Sequence, residues 1–390
     1  MSTLKVNTIQ DTTGDNALTF DSSGNTTIVQ KLASVNGNKF PSAGALSHRN
    51  ILINGDFRIS QRNGTTALAM TDNLYNIDRW AFVGASSRIT TQQVEDGPPG
   101  FKYCMKAVSV GANTPDAADA LWYKLEGYDV APLAYGTSDA KTTTLSFWFK
   151  ASASGTYGGA IQKHDLARSC PFSFTVSSAD TWEYKSVTIP GDTTSSTYRD
   201  TNLFSVSIKF STGCASGYLD TAGTWVGSDK RGASSTTQIQ ATNTAYFSVT
   251  GIQWEIGETA TSYEHKSYAE ELARCKRYFQ MLASGADGTE NAFANAVCYS
   301  SSAAYGAIRL DPEMRAKPSA YQVNGTNYWR AATSGSKLDE FDNMGVQGGN
   351  FDSQKSVEFT CGGNLSVTTD DPAWIRVNNS AARYGVDAEL

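Results

Sequence analysis

The sequence has 390 residues, of which 40% are hydrophobic and only 18% are charged, and its formal net charge is -6. This length predicts two or three domains, and the abundance of Thr, Ser, Asn and Gly favours turn-rich β structure over helix bundles. The acidic balance and the lack of a basic run argue against a nucleic-acid binder, and the lack of a run of about 18 apolar residues argues against membrane insertion.

Residues 1–48 form a polar segment that contains few large apolar side chains. Leu4, Val6 and Ile9 begin a series of short predicted strands, which are separated by turn sequences such as TTGDN. So thin a segment cannot bury enough surface to offset its chain entropy unless it pairs with other chains. We therefore predict a thin β segment and linker that copies of the chain stabilise together. Its start has no apolar stretch typical of a secretion signal, so we expect synthesis and folding in a cytoplasm.

Residues 49–266 show the alternation of apolar and polar residues that is typical of strands in a sandwich. In TTLSFWFKAS and LFSVSIKFS every second residue is apolar. Such a pattern predicts sheets with one packed face and one face in water, so that Ser205, Ser207 and Lys209 would face solvent. Gly251 interrupts the alternation in the last strand, which predicts a β-bulge. We predict a single jelly-roll β-sandwich from these strands.

The only clear helical pattern lies in SYEHKSYAEELARCKRYFQ. Ser267 and Glu270 form a capping box, and the predicted helix runs from Tyr268 to about Met281. The fold class is thus all-β with one linking helix.

One face of this helix carries Leu272, Cys275 and Phe279 at helical spacing. We expect residues 267–282 to be a rigid joint between the sandwich and a small C-terminal β-sandwich, residues 283–390. The three apolar residues would pack on a neighbouring sheet or on the same helix in other subunits.

Motifs for catalysis are missing from the sequence. There is no P-loop, no G-x-G-x-x-G, no G-x-S-x-G and no H-E-x-x-H. The six cysteines are widely spread without a C-x-x-C pair, which indicates free buried thiols. We therefore predict no catalytic residue, no metal and no cofactor. Glycan cleavage by two carboxylates needs no local motif, so that activity stays open at this point.

Aromatic residues in Gly-rich loops are the remaining candidates for binding, because sugar rings stack on exposed aromatic faces. Trp225 and Tyr218 lie in the loop sequence YLDTAGTWVGSDKRG, and Tyr157 lies in SGTYGG. We predict these three residues as carbohydrate-binding candidates. The alternative for Trp225 is that its ring covers the edge of the core.

Three segments resemble a β-sandwich found in many bacteriophage tail fibre and tail tip proteins. The first is RNILINGDFRISQRNGT with the later LYNIDRWAF, the second is LEGYDVAPLA with TTLSFWFKASASGTYGG, and the third is IQWEIGETATSYEHKSYAEELARCKRYFQ. The final YGVDAEL is similar to the end of such fibres. The resemblance implies a virion protein and covers residues 49–281 well and residues 282–390 more loosely.

The first residues, STLKVNTIQDTTGDNALTFDSSGNTTI, resemble the N-terminal segments of virion proteins from phages of marine cyanobacteria. This resemblance implies that Leu4, Val6 and Ile9 attach the chain to the phage tail and that the chain assembles as a homotrimer. The sandwich is also similar to jelly-roll carbohydrate-binding modules, which begin with N-G-x-F. In those modules, acidic residues after the Phe and in the last strand serve a structural calcium. Here Arg58 and Thr250-Gly251 take those places, so we predict no metal.

Three hypotheses follow from the residues and the resemblances. The preferred one is a tail fibre that attaches to phage tail proteins by its N-terminus and binds a host surface polysaccharide or lipopolysaccharide. The second is a structural adaptor or decoration protein of the virion without receptor binding. The third is a glycan depolymerase.

Overall fold

The computed structural model describes residues 8–10, 16–20, 26–28, 34–35, 38–39, 43–85, 87–115, 118–347 and 352–390. Before residue 43 it describes only backbone, in strands β1 (Thr8–Gln10), β2 (Asn16–Phe20), β3 (Thr26–Ile28), β4 (Ser34–Val35) and β5 (Asn38–Lys39). The first three strands form one sheet, in which Ile9 pairs with Leu18, and the other two form a second sheet. The predicted attachment residues Leu4 and Val6 lie outside the described residues.

The central part of the chain forms a β-sandwich, as predicted. Its strands are β6 (Leu68–Ala69), β7 (Tyr75–Ile77), β8 (Trp80–Val83), β9 (Ile89–Val94), β10 (Cys104–Ser109), β11 (Ala118–Glu126), β12 (Thr143–Ala151), β13 (Gly155–Lys163), β14 (Ser169–Val176), β15 (Glu183–Ile189), β16 (Phe204–Cys214), β17 (Leu219–Asp220), β18 (Gly232–Ala233) and β19 (Tyr246–Ile256). Sheet I has the order β15-β12-β19-β10-β9-β6, and sheet II has the order β14-β13-β16-β11-β8-β7. The short β17 and β18 pair in parallel beside them.

The two six-stranded sheets enclose one large hydrophobic core. Leu145, Phe147 and Phe149 of β12 are all buried in it, so the alternation in TTLSFWFKAS predicts this face correctly. The pairing of β12 with β19 changes register opposite Gly251, which has a φ of +62°. The predicted β-bulge at Gly251 is therefore confirmed.

The outer face of sheet II differs from the prediction. Ser205, Ser207 and Lys209 of β16 are buried, not in water. Lys209 donates a hydrogen bond to the Gln162 side chain, which in turn donates to Asp229 Oδ1 at 2.6 Å. The connection after β16 therefore lies over this face. Such a connection is not one regular strand or helix, so no alternation of apolar and polar residues in the sequence predicts that it covers sheet II.

Among the residues that the structure describes, helices are few and short. The α-helices are α1 (Gly127–Val130) and α2 (Tyr268–Lys276), and 3-10 turns occupy Ala131–Leu133, Ser216–Tyr218, Ile239–Ala241, Gly285–Asp287 and Ser334–Ser336. Ser267 caps α2 as predicted, since its Oγ accepts a hydrogen bond from Glu270 N at 3.1 Å. The next residue of the helix, Glu271, makes a different contact, because its carboxylate accepts a hydrogen bond from Asn54 N.

The C-terminal region forms a second β unit with strands β20 (Phe279–Ser284), β21 (Ala292–Ser300), β22 (Ala303–Arg309), β23 (Ser319–Val323), β24 (Trp329–Thr333), β25 (Leu338–Phe341), β26 (Asn343–Val346), β27 (Ser356–Gly362), β28 (Pro372–Val377) and β29 (Arg383–Asp387). Sheet III has the order β25-β24-β28-β21-β22-β27-β26, and sheet IV has the order β20-β29-β23. Side chains of both sheets form a core separate from that of the sandwich. The prediction that α2 extends to Met281 is wrong, because Phe279 leaves the helix to pair with Asp387 of β29.

The three predicted joint residues pack within this chain. Cys275 is fully buried in a small cluster with Ile53, Ile59 and Tyr278, and Leu272 covers that cluster. Phe279 contacts the Tyr321 ring at 5.1 Å between centroids, but it does so from β20 and not from the helix.

Buried ion pairs connect the sandwich to the end of β29. Arg62 lies 3.2 Å from Asp78, 2.9 Å from Asp387 and 3.5 Å from Glu389. Arg79 pairs with the same Glu389, and its guanidinium lies 3.5 Å from the centre of the Tyr278 ring. The residues after β29 thus bind to the sandwich, and they connect it to sheet IV, to which β29 belongs. Within the ranges described above, no helix combines the length and the apolar character that crossing a membrane requires.

Candidate functional site

An aromatic groove crosses the outer face of sheet I. It has a volume of about 400 Å³ and lies where β15, β12 and the bulge of β19 are neighbours. Its lining combines aromatic rings with small and hydroxyl-bearing residues: Pro99, Gly100, Phe101, Ser146, Trp148, Tyr184, Gly251, Ala260, Thr261, Ser262, Tyr263 and His265. We call this surface the aromatic groove.

Sheet geometry places the first side of the groove. Trp148 points away from the core because its neighbours Phe147 and Phe149 point into it. Tyr184 lies directly opposite on edge strand β15, and the two ring centroids are 5.5 Å apart in an edge-to-face arrangement. The Tyr184 side chain is 43% exposed, so an aromatic surface remains open to a ligand.

Two loops supply the second side of the groove. Phe101 lies 5.1 Å from Tyr263 and 5.1 Å from His265, measured between ring centroids. The Phe101 ring lies against Gly251, where an added Cβ would be only 2.7 Å from a ring carbon. Glycine is therefore required at position 251 for two reasons: the backbone has a positive φ, and the Phe101 ring occupies the space of a side chain.

The loop that carries Tyr263 is held by hydrogen bonds to buried polar groups. Glu255, which is 1% exposed, accepts from Thr261 N at 2.9 Å and from Thr261 Oγ1 at 2.8 Å. Gln253 Oε1 accepts from Glu264 N at 2.8 Å. The groove is thus formed before any ligand arrives, which lowers the ordering entropy that binding would cost.

The titratable groups of the groove are uncharged at neutral pH. Burial raises the pKa of Tyr184 and raises that of Tyr263 well above its ordinary value. Burial also lowers the pKa of His265, so its ring is neutral at pH 7. No Asp or Glu occurs among the described residues that line the groove. Rings with hydroxyl groups beside them and no net charge fit a neutral ligand that has both apolar C–H faces and hydroxyl groups.

The binding residues predicted from the sequence lie elsewhere. The prediction that Tyr157 is exposed is wrong: it is 2% exposed, and its ring packs 5.3 Å from Phe149. The reason is that the Gly-rich stretch around it is part of β13, which faces the core on this side, and is not a loop.

Trp225 and Tyr218 do lie in connections, but both rings have partners. Trp225 packs edge-to-face on Tyr135 at 5.5 Å and donates to the Pro190 carbonyl at 2.7 Å, so it covers the core edge. The Arg231 guanidinium lies 5.1 Å from the centre of the Tyr218 ring. Their role in carbohydrate binding stays a prediction, and neither lines the aromatic groove.

Trp148 is the residue that sequence reasoning missed. The alternation around it already placed it on the outer face of its strand, and this signal separates it from the core tryptophans Trp80 and Trp254. Phe101 and Tyr263 had no comparable signal, because only the folded loops bring them to Trp148.

Metal-ligand clusters are not found among the described residues, by the criterion of three or more His, Cys, Asp or Glu side chains in one place. Arg58, which follows Phe57, forms an ion pair with Asp56. The absence of a structural calcium stays a prediction.

No family model matches the chain, and no curated protein matches it. Among solved structures, the enzymatically active domain of tailspike protein 4 of bacteriophage CBA120 is similar to 53% of this chain, with 8% identity and a TM-score of 0.28, and 21% of that chain is covered.

Two carbohydrate-binding modules show a similar level of likeness. The xylan-binding domain from Paenibacillus barcinonensis has 8% identity and a TM-score of 0.26, with coverage of 51% of this chain and 99% of that one. The family 11 module from Clostridium thermocellum, in complex with a β-1,3-1,4-mixed-linked tetrasaccharide, has 17% identity and a TM-score of 0.25, with coverage of 52% and 100%. Likeness at this level carries no argument about ligand or activity.

Proposed function

We propose that the chain is a bacteriophage tail fibre protein that binds a host cell-surface glycan through the aromatic groove. The observation that carries the glycan part is the groove itself: Trp148 and Tyr184 on one side, Phe101 and Tyr263 on the other, around about 400 Å³ of space. This volume lies within the usual range of ligand sites. Sugar rings present C–H faces to such rings and hydroxyl groups to neighbouring polar atoms.

The virion part of the proposal rests on the resemblances of the sequence to tail fibres. In this proposal residues 1–48 attach to phage tail proteins, the fibre is a homotrimer, and the protein is located in the virion after synthesis in the host cytoplasm. The ligand is a surface polysaccharide or lipopolysaccharide. With three copies, a shallow site with weak affinity would suffice for attachment to the cell, because linked sites raise avidity by roughly 10²–10⁴.

We propose binding without catalysis. Glycoside cleavage by the common mechanism needs two carboxyl groups on either side of the scissile bond. The described lining of the aromatic groove includes no carboxyl group. A bound glycan would therefore be held and released unchanged.

The test is binding of the full chain to an array of purified bacterial surface polysaccharides and lipopolysaccharides. Trp148→Ala and Tyr184→Ala should each lower the apparent affinity about tenfold or more, because each removes a ring on which the sugar stacks. A tenfold change corresponds to about 1.4 kcal/mol. Trp148→Phe, which keeps a ring, should retain part of the binding. The matched control is Tyr128→Ala, an exposed aromatic outside the groove that is 59% exposed.

Three outcomes would change the proposal. Full binding by Trp148→Ala and Tyr184→Ala would show that the glycan binds outside the aromatic groove. Binding to tail components alone, with no glycan retained, would favour the adaptor. New reducing ends in the bound polysaccharide would favour the depolymerase. Light scattering on the purified chain tests the trimer, because a stable species of 41.9 kDa would contradict it.

A further inference from the structure

The outer face of sheet III carries a second exposed aromatic surface, on the C-terminal β unit. Trp374 of β28 is 58% exposed, and Tyr299 of β21 is 75% exposed. Tryptophan is usually highly buried, and its exposure in the middle of a sheet leaves a large apolar area in water. Such a residue calls for a ligand or partner.

The Trp374 indole has little cover from the neighbouring strands. The residues directly opposite on the two flanking strands are short: Asn295 on β21 and Ala332 on β24. Neither side chain is long enough to cover the ring, although the Arg376 guanidinium lies over it at 6.0 Å from the ring centre. Two hollows border Trp374, one of about 410 Å³ and one of about 490 Å³, and Arg376 lines the second.

Neutral hydrogen-bonding groups line the hollow of about 410 Å³, whereas the other hollow also contains Arg376. Asn295 borders both hollows, and Thr333 and Ser334 border one of them. An amide and two hydroxyl groups can donate and accept in the same way as the hydroxyl groups of a sugar. The combination of an open ring with such groups at its side differs from a purely apolar docking face.

The cations near Trp374 are paired with carboxylates. Arg376 lies 3.7 Å from Glu290, and Arg330 contacts both Glu290 and Glu340, the latter at 2.7 Å. A further carboxylate, Asp371, accepts a hydrogen bond from the Ser334 hydroxyl at 3.1 Å. This face therefore has no excess positive charge to attract an anionic group. A ligand for the site would be neutral.

We propose that Trp374, with Asn295, Thr333 and Ser334, is a second glycan-binding site that stacks a neutral sugar ring on the indole. The inference rests on the proposed function in treating the chain as a glycan binder, and it extends binding from the sandwich to the C-terminal β unit. A polymer that contacts both sites of one chain, or sites of several copies, would dissociate more slowly than one held at a single site.

The test is calorimetric titration of the full chain with neutral hexasaccharides: cellohexaose, xylohexaose, maltohexaose and mannohexaose. We compare wild type, Trp374→Ala, Trp374→Phe, Trp148→Ala and the double variant Trp148→Ala with Trp374→Ala. The matched control is Leu338→Ala, an exposed apolar residue of the same face that is 55% exposed and has no ring. Circular dichroism and light scattering are recorded for every variant.

The expected result is a loss of affinity of about tenfold or more in Trp374→Ala, partial recovery in Trp374→Phe, and no change in Leu338→Ala. The double variant should bind less than either single variant. Unchanged binding by Trp374→Ala, with binding lost in Trp148→Ala, would overturn this inference and leave the aromatic groove standing.

Binding that is lost in Trp374→Ala and unchanged in Trp148→Ala would support the site at Trp374 and would contradict binding in the aromatic groove. A change of oligomeric state in Trp374→Ala without loss of sugar binding would overturn the inference in favour of an interface between copies. Lack of any binding by wild type would overturn both sites for these neutral sugars.

Discussion

Replacement of Arg62 by Met tests the buried ion pairs that connect the sandwich to the C-terminal β unit. The Arg62 side chain is 2% exposed, and it lies beside Asp78, which is fully buried, and Glu389, which is 4% exposed. Met keeps much of the apolar stem but removes the charge. Removal of one partner from a buried pair leaves an uncompensated charge and costs about 3–5 kcal/mol.

The loss should depend on pH. Burial raises the pKa of Asp78 from its ordinary 3.8 to about 6, while Arg62 acts to lower it. A carboxyl with a raised pKa in the folded state binds its proton more tightly there, so its contribution to stability is present below pH 3.8 and is lost as the pH rises through about 6. Above that pH Asp78 is charged and needs Arg62, whereas at pH 5 it is largely protonated.

We therefore expect urea unfolding to show a deficit of about 3–5 kcal/mol for Arg62→Met at pH 8 and a smaller deficit at pH 5. The control is Lys102→Met, which removes an exposed ion pair with Glu95 at 3.2 Å and should leave unfolding unchanged at both pH values. Equal unfolding curves for Arg62→Met and wild type, or a deficit that grows as the pH falls, would refute this reasoning.

The remaining predictions concern packing, capping and the thiols. Gly55→Ala should lower stability by about 1–3 kcal/mol in a thermal melt, because the new Cβ would lie 2.1 Å from the Ile252 carbonyl oxygen, whereas Gly217→Ala meets nothing within 4 Å and should melt as wild type. Ser267→Ala should cost about 1 kcal/mol in the same melt, since the hydrogen bond to Glu270 N is lost; a variant as stable as wild type would contradict the cap. The six cysteines are free and buried, and burial raises the pKa of Cys104 to about 11 and that of Cys170 to about 12. An aromatic disulfide reagent should therefore label thiols only after unfolding, and rapid labelling of the native protein would disprove their burial.

Local patterns in the sequence predict much of the fold. The alternation in β12 assigns Phe147 to the core and Trp148 to the outer face, and Gly251 marks the bulge. The Ser267 cap gives the start of α2. Each of these features depends on neighbours within a few residues.

The failed predictions depend on contacts that are distant in sequence. The end of α2 is set by the pairing of Phe279 with Asp387, which no helical pattern contains. Lys209 is buried because a separate connection lies over its strand, and Tyr157 is buried because its Gly-rich stretch extends a sheet.

The aromatic groove combines residues from separate parts of the chain. Phe101, Trp148 and Tyr263 come together only through strand pairing and loop closure, so their individual positions in the sequence give little indication of a site. Residues far apart in the sequence also meet in the buried ion pairs. Arg62 and Arg79 both bind Glu389, more than 300 residues later in the chain. No local pattern in the sequence predicts this contact.

Adsorption to host cells shows whether the aromatic groove recognises a cell-surface glycan. Cells of the host are incubated with labelled wild-type chain, with Trp148→Ala and with Tyr128→Ala, and the bound label is measured with and without competing surface polysaccharide from the same cells. The account predicts that wild type and Tyr128→Ala bind and are displaced by the polysaccharide, while Trp148→Ala, folded by circular dichroism, binds about tenfold less or weaker still. Equal adsorption of all three proteins, or adsorption that the polysaccharide does not displace, would contradict glycan recognition by the aromatic groove.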